Sequence, residues 1–171
     1  PVNALAAVAP PAPAAGQLYV GGSFANIGGQ ARAHLARIDG GTGIADGWNP
    51  LADGSVFAIE ASTDAATVYV GGAFASLGGL ARSGAGALGA TDAVATAWNP
   101  SPDGAVRALL LRGSHIYAGG VFTVIGGLAR RHLALLDATD GAADPAFDAP
   151  ADEVVNALAM GGAPGSPLLF A

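Results

Sequence analysis

Three arginines recur at the same place in a repeated motif, and their guanidinium groups are the first candidates for chemistry in this chain. Arg32, Arg82 and Arg130 each end a segment that starts with tyrosine and contains two Gly-Gly pairs. Arranged in a ring, they could bind an anion. A structural role is favoured, because a side chain present in every repeat is expected to bond backbone carbonyl groups or stack on an aromatic ring of the neighbouring unit.

The histidines are candidate metal ligands. His34 and His132 occupy equivalent positions in different repeats, and His115 stands apart from them. A metal site needs ligands that converge. Equivalent positions in separate repeats are expected to lie far apart, so the sequence does not predict a histidine metal site.

Acidic turns offer a different metal chemistry. Asp39, Asp137, Asp140 and Asp144 lie in glycine-containing turns, where carboxylate and carbonyl oxygens together could bind Ca²⁺. No segment matches the calcium loop with alternating acidic residues and a distal glutamate. Turn stabilisation is the favoured role, and calcium bound by Asp39, Asp137 and Asp140 is the alternative cofactor hypothesis.

Catalytic patterns are poorly represented. Paired carboxylates could hydrolyse a glycosidic bond, but Glu60 and Glu153 are the only glutamates and aromatic residues make up 6% of the chain. The glycine-rich segment 21–29 lacks G-x-G-x-x-G and a phosphate-binding lysine, and no G-x-S-x-G motif is present. No catalytic residue is predicted.

Charge and composition exclude several classes of partner. The chain has 171 residues, a net charge of −6, seven basic residues that are all arginine, and no cysteine. Clustered basic charge for nucleic acid is missing, disulfides are impossible, and no apolar run is long enough to span a bilayer. The first residue is Pro1 and no signal peptide is recognisable, so we expect part of a longer polypeptide or a processed product.

The elements that must position these residues come from an internal repeat. The tyrosine-to-arginine motif runs over 19–32, 69–82 and 117–130, with spacings of 50 and 48 residues. Alternating segments at 2–5, 56–59, 106–109 and 155–158 predict a first strand with Val and Ala on one face and Ile or Leu on the other. Further strands are predicted before the first Gly-Gly pair, after the second pair, and before Trp-Asn-Pro. The third strand is degenerate in the middle copy, Ala85–Leu88, which is expected to be the loosest part.

Four strands per unit of about 50 residues predict an all-β fold, a β-propeller of antiparallel blades. The units are 2–55, 56–105 and 106–154, followed by the start of a fourth at 155–171. About three and a third blades cannot close a ring, so missing blades or a protein partner are expected to cover the ends. We expect the aromatic residues Phe24, Phe74, Phe122, Trp48 and Trp98 to be buried between blades. All motif residues expected to have a structural role are Tyr19, Phe24, Arg32, Trp48, Tyr69, Phe74, Arg82, Trp98, Tyr117, Phe122 and Arg130.

The motif Tyr-Val-Gly-Gly-x-Phe-x-x-[Ile/Leu]-Gly-Gly-x-x-Arg, followed by Leu-Ala-Arg-Ile-Asp and Trp-Asn-Pro, resembles the kelch-like β-propeller repeat of the delta-60 type. That resemblance implies a propeller module of a large secreted or surface protein of bacteria or archaea, without known activity and without catalytic residues to transfer. We therefore expect a non-enzymatic structural or protein-interaction module in the bacterial envelope or outside the cell. The alternative is a hydrolase or lyase that acts on an extracellular carbohydrate through a pocket on the propeller axis.

Overall fold

A computed structural model describes residues 1–8, 16–163 and 166–171, and within them the chain forms strands and turns without any helix. Residues 9–15 of the first predicted unit and 164–165 of the fourth lie outside this description. Every paired strand is antiparallel. The predicted all-β fold is confirmed.

Three successive units contain the same five strands in the same order. The first unit contains β1 (Val2–Val8), β2 (Gln17–Gly22), β3 (Asn26–Ile27), β4 (Gln30–Ala31) and β5 (Leu35–Asp39). The second contains β6 (Ser55–Ala61), β7 (Thr67–Ala73), β8 (Ser76–Leu77), β9 (Leu80–Ala81) and β10 (Ala85–Gly89). The third contains β11 (Val106–Arg112), β12 (His115–Gly120), β13 (Val124–Ile125), β14 (Leu128–Ala129) and β15 (Leu133–Asp137).

Each unit folds into one blade, a three-stranded sheet with a small hairpin attached. The sheet orders are β1-β2-β5, β6-β7-β10 and β11-β12-β15, and the hairpins are β3-β4, β8-β9 and β13-β14. The fourth strand predicted for each blade is reduced to one bridge, such as that between Ile38 and Ala45. Two backbone bonds flank this bridge, from the Asp39 amide to the Ile44 carbonyl (2.9 Å) and from the Asp46 amide to the Arg37 carbonyl (3.2 Å). The amide of Ala45 points away from β5 and donates to the Gly28 carbonyl of the hairpin, at 3.1 Å.

The first strand of each blade contains a bulge. Val56 lies opposite Gly72 and Ala58 lies opposite Gly71, so Phe57 has no cross-strand partner, and β1 and β11 show the same shift. One extra residue reverses the alternation of faces. Val56 and Ile59 therefore both face the preceding blade, where they approach Gly21, and Ala58 packs into the core shared with the next blade. The prediction that Val and Ala share a face is wrong for this reason.

The core lies between blades. One buried cluster joins Tyr19, Leu35 and Trp48 of the first blade to side chains of the second, and an equivalent cluster joins the second blade to the third. The first strands contact one another, because β6 packs against both β1 and β11. They are therefore the innermost strands, which is the arrangement of a propeller.

The third strand of the middle blade is regular and buried, contrary to the expectation that it would be loose. Ala85, Ala87 and Leu88 are fully buried, and β10 pairs along its whole length with β7. The small residues make room for packing; a Cβ atom at Gly86 would lie 3.2 Å from Cγ of Arg82. Glycine and alanine here reflect close packing, not a weakened strand.

The fourth unit forms a single hairpin. Its strands are β16 (Ala159–Ala163) and β17 (Ser166–Phe170). The predicted strand over Val155–Leu158 is not formed, because pairing starts only at Ala159. Val155 is nevertheless buried, and its side chain approaches Gly119 of the third blade.

Candidate functional site

The repeated arginines bind backbone carbonyls of their own blades. Arg82 donates from Nη1 to the carbonyl of Ala81 (2.8 Å) and from Nη2 to the carbonyl of Thr96 (2.6 Å). Arg32 and Arg130 make the equivalent pairs of bonds. Each thereby ties the small hairpin to the segment that precedes Trp-Asn-Pro or its equivalent.

These guanidinium groups are turned into the blade. The Nε atoms of Arg32, Arg82 and Arg130 are buried and have no hydrogen-bond partner within the described part of the chain. Because both terminal nitrogens are bonded to carbonyls, little of each group is directed at solvent. The three arginines lie one in each blade and do not form a shared anion site.

The repeated tyrosines and tryptophans join neighbouring blades. The rings of Tyr19 and Trp48 meet edge to face with centroids 5.0 Å apart, and those of Tyr69 and Trp98 are 5.1 Å apart. Trp48 Nε1 donates to the carbonyl of Gly89 (3.0 Å) at the end of the third strand of the next blade. Trp98 makes the same bond to the Asp137 carbonyl, at 2.9 Å. The third blade has the pair Tyr117–Phe147 at 5.7 Å, without a donor on the ring of Phe147.

The two equivalent histidines have a conformational role. His34 and His132 adopt left-handed backbone angles, with φ of 63° and 65°, and the second blade has Gly84 with φ of 62° at this position. The Nδ1 atom of His132 lies 3.0 Å from the Gly120 carbonyl, so Nδ1 carries the proton of that bond. His34 makes the equivalent contact with Gly22, at 3.3 Å. The two histidines lie in different blades and share no site.

The acidic turns bind their own backbone. Oδ1 of Asp39 accepts hydrogen bonds from the Thr42 hydroxyl and from the amides of Thr42 and Gly41, and these bonds lower the pKa of Asp39. Oδ1 of Asp137 accepts from the Thr139 amide, and Oδ1 of Asp140 accepts from Ala142. Asp39 lies in the first blade and the other two lie in the third, so the structure does not bring the three together.

One cleft of the third blade collects several titratable groups. It has a volume of about 270 Å³ and is lined by His115, Asp137, Asp140, Asp144 and Pro145 among others. Hydrogen bonds from the Thr139 amide and side chain and from the Asp140 amide outweigh partial desolvation and lower the pKa of Asp137, and His115 adds a smaller electrostatic contribution. No group of three or more acidic, histidine or cysteine side chains in the described ranges is arranged to hold a metal ion. Calcium binding remains a hypothesis of the sequence alone.

The two glutamates lie in different units. Glu60 is half-buried on β6, and burial raises the pKa of its carboxyl group. The equivalent residues in the other blades are Ala6 and Leu110, so this carboxyl is specific to the second blade. Glu153 is exposed in the segment before the fourth unit.

The bulge residues of the innermost strands are a set that sequence reasoning missed. Asn3, Phe57 and Arg107 are the unpaired residues of the three bulges, and Asn156 is their counterpart in the fourth unit. Asn3 Nδ2 donates to the carbonyl of Val56 in the next blade (3.0 Å), and Arg107 Nη1 donates to Asn156 Oδ1 (2.7 Å). The sequence does contain a signal for these positions: the second residue of Val-x-Ala-[Leu/Ile] varies between units, whereas the residues on either side of it hardly change.

Comparison with known protein families agrees with this geometry. A family model described as a β-propeller domain of unknown function (DUF5122) matches residues 16–40 and 115–147. The first match covers β2 to β5 of blade one, and the second runs from β12 to Phe147 of blade three. No curated protein matches the chain.

The described residues include no helix that is long and apolar enough to cross a membrane. Their three blades and the matching family model support one assignment of fold. The chain is an incomplete β-propeller and is similar to a propeller repeat family of unknown function.

Proposed function

We propose that this chain is a non-enzymatic structural or protein-interaction module of a larger secreted or cell-envelope protein, of the kelch-like kind that its motif resembles. The observation that carries this proposal is the use of the repeated polar side chains. Arg32, Arg82 and Arg130 are bonded to carbonyls of their own blades. The polar side chains that recur in each blade therefore stabilise the fold, and we assign binding to the exposed surfaces.

The face of the first blade that points away from the second is such a surface. Leu5 is 60% exposed, but its equivalents Ile59 and Leu109 are each 7% exposed because a preceding blade covers them. Val2 is likewise 52% exposed, and its equivalent Val56 is fully buried. Exposed apolar surface of this kind favours association. Further blades of the same repeat, or a protein partner in an envelope assembly, are proposed to cover it.

Phe24 belongs to the same face. Phe74 and Phe122 are buried in the clusters that their blades share with the preceding blades, as predicted, but Phe24 is only partly buried. The departure from the prediction at Phe24 has a simple reason, since its side of the first blade has no blade packed against it among the described residues. The same reason explains Leu5 and Val2.

Sedimentation of residues 1–171 alone tests this part of the proposal. We expect self-association, because the first blade presents Leu5 to solvent, and we expect Leu5→Asp to shift the protein toward monomer. Leu80→Asp is the matched control, because Leu80 is also exposed but lies in the β8-β9 hairpin. A monodisperse, cooperatively unfolding monomer before any substitution contradicts the proposal.

A hydrolase or lyase that acts on an extracellular carbohydrate is the competing function, and the half-buried carboxyl of Glu60 is the observation that favours it. A raised pKa is what a general acid requires. Turnover of acidic or neutral polysaccharides that is lost in Glu60→Gln supports the enzyme and contradicts the module. Fractionation of cells that produce the natural protein tests the envelope or extracellular location.

A further inference from the structure

Four residues vary inside an otherwise constant frame of the repeat. The first strands read Val-x-Ala-[Leu/Ile], where x is Asn3, Phe57, Arg107 and Asn156 in successive units. The frame residues pack between blades, as the burial of Val56, Val106 and Val155 shows. A position that changes from blade to blade while its neighbours stay constant is not required by the scaffold. Such positions are where a repeat protein can carry specificity.

The bulge gives these four residues a common location. Each follows directly after the frame valine, and in the three complete blades it has no partner across the sheet. Asn3, Arg107 and Asn156 are exposed and Phe57 is partly buried. Because β1, β6 and β11 are adjacent, Asn3, Phe57 and Arg107 lie in blade order at one end of the innermost strands, and Asn156 is joined to Arg107 by a hydrogen bond. We call these four residues the bulge surface.

Two contacts show that neighbouring members are within reach of one another. Asn3 bonds across the blade boundary to the carbonyl of Val56, the residue directly before Phe57. Arg107 bonds across the next boundary to the side chain of Asn156. These bonds span the first and the last of the three boundaries, and at the middle boundary β6, which contains Phe57, packs against β11, which contains Arg107. Bulges commonly redirect a side chain toward a binding site.

Arg107 differs from the other arginines in its bonding. Arg32, Arg82, Arg130 and Arg131 bond backbone carbonyls, and Arg37 forms an ion pair with Asp46 at 2.7 Å. The partner of Arg107 is the neutral amide of Asn156, which orients the guanidinium without compensating its charge. Arginine pairs with carboxylates through two parallel hydrogen bonds. Its complement is therefore an anion, and a carboxylate fits best.

Phe57 supplies an apolar side chain on β6, the strand that packs against the strand of Arg107. We propose that the bulge surface binds a peptide segment in which an Asp or Glu side chain stands next to an apolar one, with Arg107 binding the carboxylate and Phe57 packing against the apolar side chain. This rests on the proposed interaction function and names the class of partner.

Selection from a library of random peptides tests the proposal on the natural protein that contains the whole chain. We expect the enriched peptides to combine an acidic and an apolar residue. Arg107→Ala should weaken their binding by about tenfold or more, and Gln in place of the acidic residue of the peptide should do the same. Arg112→Ala is the matched control, because Arg112 is exposed at the other end of β11. Phe57→Ala should weaken binding of the same peptides.

Three results overturn the proposal. Peptides that bind Arg107→Ala and Arg112→Ala equally well exclude the bulge surface but leave the interaction function standing. A library without enrichment excludes the peptide class. An oligomer of galacturonate that binds through Arg107, when no peptide does, assigns the surface to acidic sugars instead. Unchanged thermal unfolding of Arg107→Ala verifies that a loss of binding is local.

Discussion

The side chain of Val106 occupies the space that a side chain at Gly71 would need: its Cγ1 atom lies 2.8 Å from the position of a Cβ atom built on that glycine. Gly21 and Val56 stand in the same relation, as do Gly119 and Val155. The first glycine of each Gly-Gly pair therefore leaves space for the side chain of the valine that starts the next blade. Two constant features of the repeat, 35 or 36 residues apart in sequence, form a single contact between blades.

That contact predicts the effect of adding one methyl group. Gly71→Ala should lower the free energy of unfolding by about 1–3 kcal/mol, because the core is already filled by Val106. Chemical denaturation measures the loss. Gly47→Ala is the control, because a Cβ atom at Gly47 meets nothing within 4 Å. The double variant Gly71→Ala, Val106→Ala should lose less stability than the sum of the losses in the two single variants. A loss equal to that sum would show that the two residues are not in energetic contact.

The two hydrogen bonds of Arg82 predict that a positive charge alone at this position does not maintain the stability of the fold. Arg82→Lys keeps the charge but cannot reach the carbonyls of Ala81 and Thr96 together. We expect a loss of about 1.5–3 kcal/mol in the free energy of unfolding. Arg112→Lys, on the exposed end of β11, should change stability by less than about 0.5 kcal/mol. Equal stability of the two variants would mean that Arg82 is available for another role.

At Trp98, the contribution of the aromatic ring to stability can be measured separately from that of its hydrogen bond. Trp98→Phe keeps an aromatic ring against Tyr69 but removes the donor to the Asp137 carbonyl, for an expected cost of about 1 kcal/mol. Trp98→Ala also removes the ring and should cost about 3–5 kcal/mol. The third blade already has Phe147 at this position. Losses below about 1 kcal/mol for the Ala variants of both Trp48 and Trp98 would refute their packing between blades.

Much of this fold is predictable because the same structural residues occur at the same positions in successive repeats. Glycine pairs, the Phe after them and Trp-Asn-Pro recur in register, so chance agreement is excluded and the strands around them can be placed. The bulge was not predictable from alternation, because one inserted residue such as Phe57 leaves a four-residue pattern looking regular while reversing its faces. The residues before Trp-Asn-Pro also did not show that their pairing with β5 is limited to the single bridge at Ala45.

The candidate site was less predictable than the scaffold. Residues repeated in every blade, such as Arg82, attract notice by their constancy, yet they bond their own backbone. Arg107 attracts notice only once it is seen in the bulge beside Asn156 of the next unit. Contacts between blades depend on how the sheets pack, and the sequence of one unit contains no direct signal for them.

The turn aspartates predict a specific weakness in acid. Asp103 accepts hydrogen bonds from the amides of Thr123 and Val124 and from the Thr123 hydroxyl. Partial desolvation raises the pKa of Asp103, but these bonds together outweigh it and the net pKa lies below 3.8. The pKa of Asp53 is lowered chiefly by the amide of Ser76.

A folded-state pKa below the unfolded value means that the carboxylate stabilises the fold above about pH 4 and loses this effect as the pH falls through the folded pKa. The double variant Asp53→Asn, Asp103→Asn should therefore be less stable at neutral pH, by about 1 kcal/mol per site or less at these exposed positions. Its free energy of unfolding should also fall less steeply than that of the unsubstituted chain between about pH 4 and about pH 2. Asp152→Asn, at an exposed position outside these turns, is the control. Denaturation series at several pH values measure the slopes, and a double variant with the slope of the control would show that these two turns do not set the acid sensitivity.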